Sequence, residues 1–362
     1  MGFTWVEIDK KAIIHNLKSF RKLIGKDRLL MPVVKSNAYG HGILEIAKLI
    51  DKSKLADKIC TVNSTEALLL QKNNIKSPIF ILSYWAREDA KKLIKNNNKI
   101  EFSVYNLDQA KFLSSLKKNV KIHLKVDTGT SRLGVLSKDF ILFVKKVVAL
   151  PYLEIEGVFT HYANSEEDNL FTRKQTEKFE LIKEELDKIN IKVNNYHAAC
   201  SAAILSSPNG KFDGMRLGLS LYGLRPSKHN SKIILKPALT WKTKIIQVKI
   251  IPKGEFIGYG CTYQTKKDTK IAVLPVGYNE GVPRILSGRG EVFINKHRCP
   301  ILGRVCMNLI IVDVSKIKQV KVNDEVELIG KNITAEEFAS WAETINYEVV
   351  TRINSNIERV YK

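Results

Sequence analysis

Over roughly the first two hundred residues, short apolar runs alternate with helical patterns, and this limits the fold more than any other feature. Runs of strand length lie at residues 29–34, 59–62, 79–82, 101–104, 121–126, 155–160, 195–198 and 214–217. Helical segments separate them, as in the spacing of Ile43, Ile46, Ala47 and Ile50. About eight strand–helix units in that length have the rhythm of an α/β fold, a (β/α)8 TIM-like barrel. A doubly wound open sheet is the alternative, but no G-x-G-x-x-G follows the first strand.

The alternation stops at a polar linker, Arg225-Pro226-Ser227-Lys228-His229-Asn230, and the hydrophobic period then changes to two. Strands are expected at 239–251, 256–263, 270–276, 291–294, 309–314 and 325–329. A helix at 335–345 and a last strand near 347–353 follow. The chain therefore divides into a barrel (1–230) and a C-terminal mostly-β domain (231–362). Ahead of the helix expected at 12–23, Trp5-Val6-Glu7-Ile8 within residues 1–10 forms a short strand available to the β domain.

Composition excludes several function classes. The net charge is +22, yet the lysines are spread over most helical segments (Lys91-Lys92, Lys117-Lys118, Lys145-Lys146), with no basic tail or stacking motif. Nucleic-acid binding is not expected. No window of about 18 apolar residues exists, so no membrane span is expected. The opening Met1-Gly2-Phe3-Thr4-Trp5-Val6-Glu7 has neither a secretory nor a transit pattern. Five scattered cysteines (Cys60, Cys200, Cys261, Cys299, Cys306) form no C-x-x-C pair, which argues against a disulfide framework or a metal site and for a cytoplasmic location.

In a barrel the site is built at the carboxyl ends of the strands. Those ends carry Lys35 and Tyr39, then Lys125 with Arg132, Thr160-His161, His197 with Ser201, and Arg216-Leu217-Gly218. The loops after strands seven and eight commonly hold phosphate through hydroxyls and backbone amides, and Ser201 and Gly218-Leu219 occupy those places. An amine-bearing strand end facing a phosphate cup suggests pyridoxal 5'-phosphate (PLP), bound as a Schiff base to Lys35. Each residue also has a plainer reading. Lys35 could be a surface lysine, His161 and His197 core histidines, Ser201 a helix cap, and Cys200 a small buried filler.

The motifs resemble those of the alanine racemase family, PLP enzymes of fold type III. The resemblance is carried by Val33-Val34-Lys35-Ser36-Asn37-Ala38-Tyr39-Gly40-His41-Gly42, by Lys125-Val126-Asp127-Thr128-Gly129-Thr130-Ser131-Arg132-Leu133-Gly134, by Phe159-Thr160-His161-Tyr162-Ala163 and by Arg216-Leu217-Gly218-Leu219-Ser220-Leu221-Tyr222-Gly223. It continues in the second domain through Gly258-Tyr259-Gly260, Val276-Gly277-Tyr278-Asn279-Glu280-Gly281, Gly303-Arg304-Val305-Cys306-Met307-Asn308 and Ile345-Asn346-Tyr347-Glu348.

The resemblance implies interconversion of L- and D-alanine, supplying D-alanine for peptidoglycan, by a homodimer whose active sites are completed across the interface. Lys35 would hold PLP and act as base on one face of the amino acid, and Tyr259 of the second subunit on the other. Arg132 and the Met307 amide would hold the substrate carboxylate. Tyr39, Ser201, Gly218, Leu219 and Tyr347 would hold the phosphate, with His161 and Arg216 behind the pyridine ring. Tyr278 would line the entry, and Lys125, carbamylated in many relatives, would orient Arg132.

Inverting a carbon centre requires proton removal on one face and return on the other, hence two bases. An arginine at the ring nitrogen cannot readily give up a proton, so that nitrogen stays largely unprotonated, which favours proton return over transamination. Racemisation of serine or other amino acids, a related decarboxylase, and a non-enzymatic PLP carrier are the competing readings. The arginine speaks against the decarboxylase and the complete β domain against the carrier. Departures from the family pattern occur at Thr130, Ser165-Glu166, Cys200, Asn279-Glu280 and Asn308, and substrate preference and subunit affinity are the properties they bear on.

Overall fold

The computed structural model describes residues 2–96, 99–166, 169–206, 212–226 and 233–362. Linker residues 227–230 lie outside them. The chain forms two compact units, one of residues 14–38 and 43–235, the other of residues 1–13, 39–42 and 236–362.

The first strand, β1 (Thr4–Ile8), belongs to the second of these units. The first unit is built on β2 (Leu29–Pro32), β3 (Ile59–Asn63), β4 (Ile79–Tyr84), β5 (Ile100–Val104), β6 (Val120–Asp127), the two-residue β7 (Val135–Leu136), β8 (Leu153–Phe159), β9 (Asn195–Ala199) and β10 (Gly214–Leu217). Eight of them pair in parallel in the order β2-β10-β9-β8-β6-β5-β4-β3, with β7 beside the end of β6. The ring closes where Val33 bridges Cys60 and the Val34 amide donates to the Cys60 carbonyl at 2.9 Å. This is the expected barrel.

Successive strand residues point to opposite sides, so Lys121, His123 and Lys125 of β6 share a face. Their neighbours Ile122, Leu124 and Val126 are fully or almost fully buried on the other. Beyond the half-exposed Lys121 the polar face is buried too: His123 is 0 % exposed and stacks on Phe80 with ring centroids 4.0 Å apart. Phe159 meets Phe80 edge-on at 5.4 Å and stacks on His197 at 5.0 Å. The barrel interior is thus a mixed aromatic and polar core.

The second unit carries β11 (Leu239–Lys244), β12 (Gln247–Ile251), β13 (Thr269–Leu274), β14 (Glu291–Ile294), β15 (His297–Leu302), β16 (Ile310–Asp313), β17 (Glu325–Ile329) and β18 (Glu358–Tyr361). They form one nine-stranded sheet with β1, in the order β12-β13-β16-β15-β14-β17-β11-β1-β18. Here β1 lies antiparallel to β11 and parallel to β18.

Three expectations for this unit need correction. The run 239–251 breaks into β11 and β12, because the Ile245 amide turns to the Asp324 carbonyl and that of Ile246 to Val273. Residues 256–263 form no strand: Gly258 (φ 75°) and Gly260 (φ 72°) wind Tyr259–Cys261 into a single 3₁₀ turn. Finally, 347–353 lies in a helix, Asn346–Arg352. Its buried residues, Asn346, Val349, Val350 and Ile353, fall at i, i+3, i+4 and i+7, a helical spacing that outweighs the β-branched composition. The last strand is β18, and β15 was not anticipated.

Phe80→Ala should leave a cavity among rings with no room to collapse and cost about 3–5 kcal/mol in urea unfolding. Leu142→Ala, at a side chain 59 % exposed, should change stability by less than about 0.5 kcal/mol.

Candidate active site

The carboxyl end of the barrel gathers positive charge. Lys35 follows β2 and is half-buried. Burial, with the Arg132 cation adding to it, lowers its amine pKa, and Glu66 offsets only part of the fall. Lys125, at the end of β6, is 6 % exposed. Burial, then Arg216 and Arg132, bring it from 10.5 to about 8. Burial and the charges of Arg216, Arg132, Lys125 and Lys35 hold His161 well below its usual range, so the ring is neutral. Arg216, Arg132, Lys125 and Lys35 thus all act on the one imidazole of His161.

Arg216 is 4 % exposed and needs acceptors for a buried charge. Nη1 donates to His197 Nδ1 in a short contact and to the His197 carbonyl at 3.1 Å. Nη2 donates to the carbonyls of Thr160 and Ala198, both at 2.7 Å, and meets His161 Nδ1 at 3.3 Å. A guanidinium has five N–H groups. The four on Nη1 and Nη2 are thereby engaged, which leaves Nε–H as the donor not taken by a described residue.

The lysine loop adopts an unusual backbone. Ser36, Asn37, Ala38 and Tyr39 all have φ between 52° and 54°, a left-handed turn that costs roughly 1–2 kcal/mol per non-glycine residue. Side chains brace it. Glu66 accepts from the Ser36 amide at 2.7 Å and from that of Val62 at 2.8 Å, and Asn37 accepts from the Ile43 amide at 3.0 Å. Gly40 follows at φ 83°, where a Cβ would come within 2.1 Å of the Val350 carbonyl oxygen.

Asp127 organises the loop that carries Arg132. Its carboxylate accepts from the amides of Gly129 (2.9 Å), Ser131 (3.1 Å) and Arg132 (3.1 Å). Burial raises its pKa, and these amides more than reverse the rise. Gln175 clamps the next loop, donating to Thr128 Oγ1 (3.2 Å) and to the His161 carbonyl (3.1 Å) and accepting from the Ala163 amide at 2.8 Å. Neither residue stood out in the sequence. The Asp-Thr-Gly of 127–129 carried the only signal, an Asx-turn composition.

Ser201 opens the helix Ser201–Ser206, and its hydroxyl accepts from the amides of Gly218 at 3.0 Å and Ser220 at 3.4 Å. Ser201 Oγ thus ties the buried Gly218–Ser220 turn to the start of this helix. Cys200 is half-buried, with Sγ 3.2 Å from Ser165 Oγ.

The other expected residues lie in the second unit. Tyr39 and Tyr347 are neighbours, with ring centroids 6.3 Å apart. Tyr259 is 73 % exposed on its 3₁₀ turn, and a Cβ at Gly260 would strike the Arg304 guanidinium at 2.8 Å. Tyr278 and Met307 lie on adjoining loops: the Tyr278 amide donates to the Cys306 carbonyl (3.0 Å) and that of Asn279 to the Met307 carbonyl (2.9 Å). Two of the unusual residues are partners, since Asn308 Nδ2 donates to Glu280 Oε1 at 2.8 Å.

With this geometry in view, the relatives decide the family. The alanine racemase N-terminal domain profile matches residues 8–226, and the C-terminal domain profile residues 238–361. This chain belongs to the alanine racemase family. An alanine racemase of Methanococcus maripaludis is 40% identical over 99% of this chain and 98% of that protein. One from Desulforamulus reducens is 38% identical over 99% and 98%. Among solved structures, the alanine racemase of Clostridium difficile 630 superposes with a TM-score of 0.94 at 34% identity, covering 100% of this chain and 96% of that one. The Bacillus anthracis alanine racemase with bound L-Ala-P gives 0.93 at 32%, covering 100% and 95%.

The Lys125 amine has a measurable consequence for stability. Below about pH 8 it is protonated in folded and unfolded chains alike, and the folded state bears the full cost of the buried charge. Between about 8 and 10.5 only the folded state sheds the proton, so stability rises with pH. In bicarbonate-free buffer, Lys125→Met should therefore be more stable than wild type at pH 7, by up to about 3 kcal/mol. That advantage should shrink steadily towards pH 10.5 in urea titrations.

Proposed function

We propose that this protein interconverts L- and D-alanine as a PLP-dependent isomerase, working as a cytoplasmic homodimer and supplying D-alanine for peptidoglycan. The barrel (1–230) would hold the cofactor and the β domain (231–362) would supply Tyr259. Membership of the alanine racemase family supports the reaction. The observation that carries the cofactor reading is Arg216, with four N–H groups tied to the barrel and Nε–H remaining as donor.

The donor set fits PLP. The Ser201 hydroxyl and the Gly218 and Leu219 amides suit a phosphate, to which Tyr39 and Tyr347 would add hydroxyls. Arg216 with His161 suits a pyridine nitrogen, which accepts a hydrogen bond. Lys35, its amine made less basic by burial and by Arg132, suits the cofactor aldehyde. When bound, PLP supplies an electron sink that makes the Cα proton of an attached amino acid removable.

The protein's own groups then handle charge and protons. Arg132, set by the Asp127 cradle, pairs with the substrate carboxylate, with the Met307 amide as second donor. Lys35 Nζ takes or returns the proton on one face and Tyr259 Oη of the second subunit on the other. Arg216 keeps its own proton, so it would offer a pyridine nitrogen a hydrogen bond and not a proton, which would favour proton return at Cα over transamination. Tyr278 lines the approach.

Lys125 faces two arginines and, with its pKa at about 8, is partly neutral at neutral pH. The neutral fraction of its Nζ can attack CO2, forming an N–C bond as one C–O π bond opens and releasing one proton, which turns a neutral amine into an anion beside Arg132; starting from the protonated amine, two protons leave. In 13C-bicarbonate the protein should show a carbamate carbon signal that Lys125→Met abolishes. A spectrum without that signal assigns Lys125 an amine role alone.

Incubation with PLP and L-alanine in D2O should abolish optical rotation with deuterium entering Cα, and L-serine should react more slowly. A PLP absorbance band without exchange would overturn the racemase reading. Tyr259→Ala should depress Cα exchange from one enantiomer by about 10²–10⁴-fold, while the other, deprotonated by Lys35, loses much less. Equal losses would exclude the two-base assignment.

A further inference from the structure

The barrel interior holds a line of buried polar groups that the reaction does not call upon directly. Lys58 (5 % exposed) donates to Glu101 Oε2 at 2.8 Å and to Glu156 Oε1 at 2.6 Å. The same Glu101 oxygen lies 2.7 Å from His123 Nε2. His123 Nδ1 lies 3.0 Å from His197 Nε2, and His197 Nδ1 meets Arg216 Nη1. Lys58, Glu101, His123, His197 and Arg216 thus form one unbroken chain, each member at most 5 % exposed.

Donor–acceptor matching fixes the direction of every link. The guanidinium has hydrogens and no lone pair to offer, so His197 Nδ1 accepts and its proton sits on Nε2. That Nε2–H must donate to His123 Nδ1, which places the His123 proton on its own Nε2, aimed at the Glu101 carboxylate. Lys58 can only donate and meets the same oxygen from the far side. No other arrangement of neutral rings satisfies all four contacts. Burial keeps His197 neutral, as do the surrounding cations, and it lowers the His123 pKa despite the pull of Glu101.

The surrounding structure leaves room for this line. A Cβ on Gly157 would sit 2.4 Å from His123 Nδ1 and 2.7 Å from Asn195 Oδ1, although Gly157 needs no left-handed backbone. A Cβ on Gly214 would approach His197 Cβ to 3.1 Å. Phe80 stacks on His123 and Phe159 on His197, fixing both ring planes.

We propose that Glu101, held by Lys58, is a positioning residue for Arg216: it ends a one-way chain of donors through His123 and His197 that locks the guanidinium in one orientation. Nη1 is committed to His197, so the Nε edge keeps its direction. Through two polarised imidazoles the buried carboxylate also supplies partial negative charge behind a cation that has no carboxylate partner of its own. The inference rests on the racemase reading for its functional consequence, but its structural content holds without it.

The first test uses the cofactor-free protein, selectively labelled with 15N-histidine and assigned through His123→Gln and His197→Gln. Both rings should show the neutral Nε2–H signature. Imidazolium or Nδ1–H signals at either position would overturn the chain, whatever reaction the enzyme performs.

The second test follows the pair Lys58→Met with Glu101→Leu, which removes both charges together, while Glu156, losing Lys58, keeps Lys121 at 2.9 Å as its cation. His123 should keep its Nε2–H tautomer, imposed from the Arg216 end, but that proton should lose the downfield shift of a carboxylate-bonded N–H. In the PLP-loaded enzyme, pyruvate formed per alanine racemised should rise by about threefold or more. Glu101→Gln, whose amide oxygen can replace Oε2 in both contacts, should stay within about twofold of wild type. A folded double variant with an unchanged product ratio would overturn the positioning role. Failure of the racemase reading would show instead as absent Cα exchange in the wild type.

Discussion

A buried guanidinium imposes more on this barrel than any other group. Arg216 cannot shed its charge at physiological pH, and no carboxylate reaches it among the described residues; carbonyls and imidazoles must compensate it instead. The carbonyls of Thr160, His197 and Ala198 turn towards it where β8 and β9 end. The two histidines that complete its shell must be neutral with their lone pairs on Nδ1, and they are held so by burial and by cations. From that requirement follow the tautomer of His123, the acceptor at Glu101 and the missing side chain at Gly157.

Much of the fold was legible in the sequence because apolar strands bounded by helical patterns leave few other solutions. That Lys35, Lys125, His161, Ser201 and Arg216 gather at strand ends was legible for the same reason, since the strand pattern fixes where each apolar run stops. The polar interior was not. In Lys121-Ile122-His123-Leu124-Lys125-Val126 the alternation reads as a strand with one wet face. From His123 to Val126 both faces are dry, one under helices and the other inside the ring, so residues that look solvated are buried, while Lys121 at the start of the strand stays partly exposed. Periodicity gives the number of faces a strand has, and topology alone decides what each face meets.

The β unit shows the complementary failure. Residues 346–353 are rich in β-branched and aromatic side chains, yet the helical spacing of the buried ones prevails. Around Tyr259, two glycines with positive φ replace the expected strand with a turn that presents the ring to solvent. Two departures from the family pattern are linked here. Glu280 accepts from the Gly277 amide at 2.7 Å, from Asn279 at 2.9 Å and from Asn308 at 2.8 Å. An aspartate at 308 would set a second carboxylate against Glu280, whereas the asparagine supplies a donor. The Asn308–Glu280 and Glu280–Gly277 contacts join the Tyr278 and Met307 loops.

The lysine turn shows how the fold sustains strain just beyond the first barrel strand. Four consecutive left-handed residues cost roughly 4–8 kcal/mol in total, comparable to the net stability of many domains. No glycine relieves them, since Gly40 comes only after the turn. The compensation is local and specific. Ala38 is fully buried and its amide donates to the Val34 carbonyl at 2.9 Å, Glu66 grips the amide of Ser36, and Asn37 caps the next helix at Ile43. The Glu66 carboxylate that braces the turn also acts on the Lys35 amine. Removing its charge would loosen one of the turn's braces and lower the basicity of Lys35 at once, so this side chain couples the loop's conformation to the amine's proton affinity.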